Sequence, residues 1–133
     1  MIMSALIRRC LTSVAAVLLT VFALFVQAHH SNTPFDMSQT LYLSGVVEKM
    51  NFKNPHSTLT LVVESDGGEQ VISYEGHSLA TLRHYGLQPS MVKPGDAISI
   101  SYAPRRDGKP GGIFLSVTTA AGETLDFSQL GYD

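Results

Sequence analysis

The sequence predicts a small, mainly β domain: a five-stranded OB-like barrel with one short helix between strands three and four, preceded by a cleaved signal helix. Three observations point there. Five stretches read as strands, and three of them alternate apolar and polar residues with period two. A single stretch repeats its apolar residues at helical spacing, and it falls between the third and fourth strands. The chain left after an export signal is about 105 residues, enough for one core and too short for two domains. Closing the sheet also removes the edges that a small exported β domain must otherwise protect. The competing architecture is an open five-stranded sheet with the helix packed on one face.

Residues 1–28 read as a signal peptide. Arg8 and Arg9 supply the positive start, residues 11–26 an apolar run, and Val26-Gln27-Ala28 a small-x-small cleavage pattern. The run has 16 residues, short of the roughly 20 that cross a bilayer as a helix. The competing reading is an uncleaved anchor. Cleavage after Ala28 removes Cys10, so a mature chain has no disulfide, thiolate metal site or cysteine nucleophile. It also removes two arginines, leaving seven basic against eleven acidic residues, a formal net of −4. The expected location is periplasmic or secreted, with no membrane insertion once the signal is gone.

Residues 29–40 are polar, with Pro34 among them, and read as an extended N-terminal arm; residues 41–133 form the barrel domain. Residues 41–52 make a long first strand whose apolar phase slips at Ser44-Gly45, which predicts a bulge or sharp coil. Asn54-Pro55-His56 ends it, because proline removes a ladder donor and restricts its predecessor. Residues 58–64 put Leu59, Leu61 and Val63 on one face. Asp66-Gly67-Gly68 signals a hairpin, and residues 70–75 return. In residues 77–85, Leu79, Leu82 and Tyr85 share a helical face, and Gly86 suits the helix C-terminus. Lys93-Pro94-Gly95-Asp96 turns the chain. Residues 97–102 place Ile98, Ile100 and Tyr102 inward, and residues 113–119 place Ile113, Leu115 and Val117 inward. Between those strands, residues 104–112 form a charged, glycine-rich loop. Residues 123–127 add a short last strand.

Composition and motifs exclude several functions. No nucleophile elbow, HExxH helix, P-loop or dinucleotide fingerprint is present, so the expectation is a non-enzymatic domain. Glu64, Asp66, Glu69 and Glu75 read as water-facing carboxylates on a hairpin. A net-acidic chain without Trp, whose strand aromatics Tyr74 and Tyr102 are in inward phase, is a poor binder of nucleic acid.

OB barrels bind with the face of strands two and three and with the loops joining strands one to two and four to five. Here those loops carry Asn54, Pro55 and His56, and Arg105, Arg106 and Lys109. All five histidines lie beyond Ala28. Cleavage there would make His29 the first residue, offering an α-amine and a ring nitrogen to one metal. A second imidazole, from His56 or His30, completes a three-nitrogen set suited to Cu(II). The bland alternatives are a solvated terminus for His29 and His30, and a turn-stabilising role for His56. His77 and His84 lie two helical turns apart, opposite the Leu79/Leu82 stripe, and read as exposed. Met37, Met50 and Met91 form no close-set cluster and read as packing.

The sequence also resembles a known family. The pattern runs Ala28-His29-His30-Ser31, Gly45-Val46-Val47, Asn54-Pro55-His56 and Tyr74-Glu75-Gly76. It continues through residues 82–86, Lys93-Pro94-Gly95-Asp96, Asp107-Gly108 and residues 112–117. This is similar to a family of small exported bacterial proteins classed as a domain of unknown function. The resemblance implies periplasmic export and a small β-rich domain, and carries no ligand or catalytic residue. The resemblance implies an aromatic after Asn-Pro-His; Ser57 and Thr58 stand there, which weakens any stacking role for the first loop.

The sequence therefore predicts an exported binding or accessory domain, with Cu(II) as first candidate ligand through His29, His30 and His56. The alternative is a periplasmic protein-interaction module without metal, presenting the face of strands two and three. A small anion held by Arg105, Arg106 and Lys109 is a third possibility.

Overall fold

The computed structural model describes residues 34–131. The element order is β1 (Leu41–Asn51), β2 (Ser57–Ser65), β3 (Gly68–Gly76), α1 (Leu79–His84), a 3-10 turn (Pro89–Met91), β4 (Ala97–Pro104), β5 (Gly112–Thr118) and β6 (Thr124–Asp126). The sheet order is β3-β2-β1-β4-β5-β6, and a parallel pairing of β3 with β5 closes the first five strands into a barrel. The open sheet is thereby excluded. That closing pair is short, Tyr74 with Gly112 and Glu75 with Ile113. It depends on the Phe114 ring lying against Gly76: a Cβ at Gly76 would lie 2.2 Å from that ring.

Leu59, Leu61, Tyr74, Ile98, Ile100, Phe114 and Val117 fill the barrel, as period-two strands require. Leu82, Leu87, Val92 and Phe127 join the same core from the connections. The helix is shorter than residues 77–85. Ser78 caps it, its hydroxyl accepting from the Thr81 N–H at 3.1 Å. At the other end Gly86 has φ +97°, and the N–H groups of Gly86 and Leu87 donate to the carbonyls of Arg83 and Leu82. This paired closure brings Leu87 onto Leu82. It also displaces Tyr85, which is exposed rather than on the buried face the spacing suggested.

Two strand phases differ from expectation. The β1 register slips between Val47 and Lys49, leaving Glu48 as the extra residue; Gly45 itself stays in register, opposite Ile98. Gly45 is needed for a different reason, since a Cβ there would sit 2.8 Å from the Val62 carbonyl oxygen. On β5 the register passes from Ser116 to Phe114, leaving Leu115 as a bulge. Phe114 and Val117 therefore point into the main core. Ile113 and Leu115 point out of it, into a second cluster with Ala103, Phe35 and Met37.

That second cluster anchors the described part of the N-terminal arm. Phe35 forms an antiparallel bridge with Arg105, and only 1% of it is exposed. The Asp36 N–H donates to the Pro104 carbonyl, and the Arg106 N–H to the Pro34 carbonyl. Asp36 then turns the chain toward β1, accepting from the N–H and hydroxyl of Ser38. Those bonds, from Ser38 first and then Gln39, hold its carboxyl at about 2. Among the described residues no helix is long and apolar enough to cross a membrane.

Candidate functional site

The site is built at one end of the barrel, where the β1–β2 and β4–β5 loops meet the outer face of β3. The β1–β2 loop is tied down on both sides. Buried Ser57 donates its N–H to the His77 carbonyl, and its hydroxyl lies 3.3 Å from the Lys53 N–H and 3.4 Å from the Lys53 carbonyl oxygen. The Leu79 N–H donates to that same Lys53 carbonyl, so the loop is fastened to the start of α1. The Asn54–Pro55 peptide is cis.

The β4–β5 loop is held by its own charges. Arg105 forks onto Asp107, with Nε donating to Oδ1 at 2.9 Å and Nη2 to Oδ2 at 2.8 Å. The Lys109 N–H donates to Asp107 Oδ1, and its Nζ stands 3.8 Å from Oδ2. Arg105 is the main cause of an Asp107 carboxyl lowered to about 2. At the base of the loop, Gly111 has φ +104°, and a Cβ there would lie 2.5 Å from the Ser73 carbonyl oxygen. The loop is thus laid directly on β3.

Between the loops lies a cleft of about 700 Å³. Lys53, Asn54, Pro55 and His56 form one wall, and Arg105, Lys109 and Pro110 the other. Val71, Ser73 and Glu75 of β3 make the floor, and Phe35 lines it as well. The His56 ring is placed by Glu75, with Nδ1 3.4 Å from Oε1 and both side chains about one-third exposed. That spacing is an ion-pair separation when His56 is protonated, longer than a well-formed hydrogen bond. Tyr74 is buried edge-on to Tyr102, centroids 4.9 Å apart, and burial pushes its phenol pKa up.

The structure brings Asn54, Pro55, His56, Arg105 and Lys109 together around this cleft. Arg106 is turned away, its Nη2 3.7 Å from Asp36 Oδ1. Each of the three loop cations thus has a carboxylate beside it, which weakens the case for a bound anion. His29 and His30 lie outside the described residues. Among the described residues, no three His, Cys, Asp or Glu side chains are grouped to hold a metal. His84 is exposed, as expected. His77 is not: it is buried, because α1 starts two residues later than expected and the segment before it packs under the β1–β2 loop. With His56 it lines a smaller hollow of about 330 Å³ beside Ser78 and Thr81. Met50 and Met91 pack on the main core and Met37 on the second cluster.

Sequence reasoning passed over three residues that shape the site. Phe35 was hidden in a polar arm, and its only signal is a lone aromatic beside a proline. Glu75 read as a water-facing carboxylate, yet it stands beside His56. Ser57 is a small polar residue with no sequence signal for its buried, loop-closing position.

No curated protein matches the chain. The profile of one family matches residues 17–116, a span that includes the arm, β1 to β4 and most of β5. With β1 to β4, most of β5, both loops and three-quarters of the sequence inside that match, the chain belongs to the family of unknown function DUF6152.

Proposed function

We propose that the mature chain is an exported, non-enzymatic binding module, periplasmic or secreted, whose ligand enters the cleft between the β1–β2 and β4–β5 loops. The observation that carries this reading is the cleft itself, about 700 Å³, with the β3 face as floor and His56 held beside Glu75. A carboxylate at the second ring nitrogen is how proteins commonly orient a metal-ligating histidine.

The finer reading is a transition-metal site, Cu(II) first. His29 supplies its α-amine and ring and His56 the second imidazole, with His30 as alternate. The tether supports it. Pro34 accepts from Arg106 at the base of the β4–β5 loop, and His30 lies four residues before it, a reach of at most about 14 Å. A second reading, protein interaction without metal, is favoured by the exposed outer face of β2 and β3, where Val71 is 60% exposed.

Calorimetric titration of Cu(II) into the chain beginning at His29 tests the metal reading. The comparison uses His56→Ala and a version with one extra residue before His29. One-to-one binding, weakened at least about tenfold in both variants, is expected, in line with losses seen when even an outer-shell partner is removed. Binding unchanged in both variants sinks it.

A further inference from the structure

We propose that the outer face of β1, β2 and β3, from Val71 at the edge of the cleft floor toward the β2–β3 hairpin, docks a protein segment that alternates apolar side chains with Lys or Arg. This rests on the interaction reading above and gives it a partner chemistry.

The first observation is a row. Val46 pairs with Ala97 on one side and Val62 on the other, and Val62 pairs with Val71. Directly opposed residues in a sheet share a face, so four apolar side chains line up across β4, β1, β2 and β3. Val46 is 44% exposed, Val71 60%, and Ala97 is exposed too. Single exposed apolar residues are ordinary; an in-register row across four strands is a continuous strip.

The second observation is the charge beside it. Two residues beyond Val62 and Val71, on the same face, Glu64 stands directly opposite Glu69. Like charges so placed oppose strand pairing. Asp66 sits in the turn that joins them. Among the described residues no ion pair reaches any of the three. Of the seven Lys and Arg in residues 34–131, four (Lys53, Arg105, Arg106 and Lys109) lie on the two cleft loops at the other end of β2 and β3. From Thr58 to Glu64 is about 20 Å of strand, well beyond the roughly 8 Å over which charges act in physiological salt. Lys49 is nearer, on β1 opposite Thr60 of the same outer face, but among the described residues no ion pair joins it or any other cation to these carboxylates. An apolar strip ending in carboxylates that no ion pair holds matches a segment with apolar contacts and basic flanks.

The test is an amide-shift titration of the chain beginning at His29 with three short synthetic peptides that alternate Val with Lys, with Ser or with Glu. The Lys peptide should shift the amides of Val46, Val62, Val71, Glu64 and Glu69. Its affinity should fall about fivefold or more in the double variant Glu64→Lys, Glu69→Lys, a magnitude set by two exposed charge contacts. That variant keeps a like-charged pair across the hairpin, so hairpin stability is little changed, and an otherwise unaltered spectrum checks the fold. Equal binding of the Ser or Glu peptide to the row would overturn the partner chemistry while leaving the face a docking surface. No shift on the row with any peptide would overturn both the proposal and the interaction reading of this face.

Discussion

Replacing Phe35 by alanine tests whether the arm is part of the domain. The ring is 1% exposed, packed on Ala103, Ile113 and Leu115, and it lines the cleft. Burying a Phe side chain contributes about 1.5–3 kcal/mol, and truncation to Ala in a core costs roughly 3–5 kcal/mol once the cavity is counted. This cluster lies outside the barrel, and the arm can relax over the vacancy, so the lower end applies, about 3 kcal/mol. For a domain of this size that lowers Tm by roughly 12 °C or more. Thermal unfolding of the chain beginning at His29 gives the global number, and amide hydrogen exchange locates it. The Asp36 and Arg106 amides, which bond to Pro104 and Pro34, should lose protection out of proportion to Leu61 and Ile100 in the barrel. A Tm within about 2 °C of the parent, with Arg106 protection unchanged, would refute the packing of Phe35 and remove the arm from the cleft.

Two further changes probe barrel closure and the β4–β5 loop. Gly76→Ala puts a Cβ 2.2 Å from the Phe114 ring, an overpacking that should cost about 1–3 kcal/mol in denaturant unfolding; an unchanged midpoint would mean the Phe114 ring does not pack on Gly76. The Asp107 carboxyl, held by Arg105 at about 2 against an ordinary 3.8, should titrate far below free aspartate in a carbon-detected pH series. Because its pKa is lowered on folding, the stabilisation is full above pH 3.8 and is lost as pH falls through about 2. The pair is exposed, so the readout is local; titration at the ordinary value would show the Arg105 fork is not formed.

The barrel was legible because its determinants are local. Period two in residues 58–64 and 97–102, the Asp66-Gly67-Gly68 hairpin and the single helical stretch together specify the element order; the β3–β5 pairing then decides closure over the open sheet. The misread parts depend on long-range contacts. Whether Ile113 or Phe114 faces the core is decided by the Leu115 bulge, which answers to β4 on the neighbouring strand. The exposure of Tyr85 and the burial of His77 follow from where Ser78 and Gly86 bound α1: His77 falls before the helix and Tyr85 after its last residue, so neither keeps the face that helical spacing assigned. At the site, the two loops that wall the cleft were legible from topology, since an OB-type order places them at one end. The His56–Glu75 contact and the Phe35 anchor were not, because each joins residues that nothing in the local sequence connects.

The most direct test of the cleft as the binding site is to ask where copper sits. Cu(II) added below stoichiometry to the isotope-labelled chain beginning at His29 broadens amides near the metal. Copper held in the cleft erases signal first in residues 53–57 and 105–112, on both walls. Broadening centred instead on His84, or on the carboxylates of the β2–β3 hairpin, with the two loops untouched, would contradict that placement.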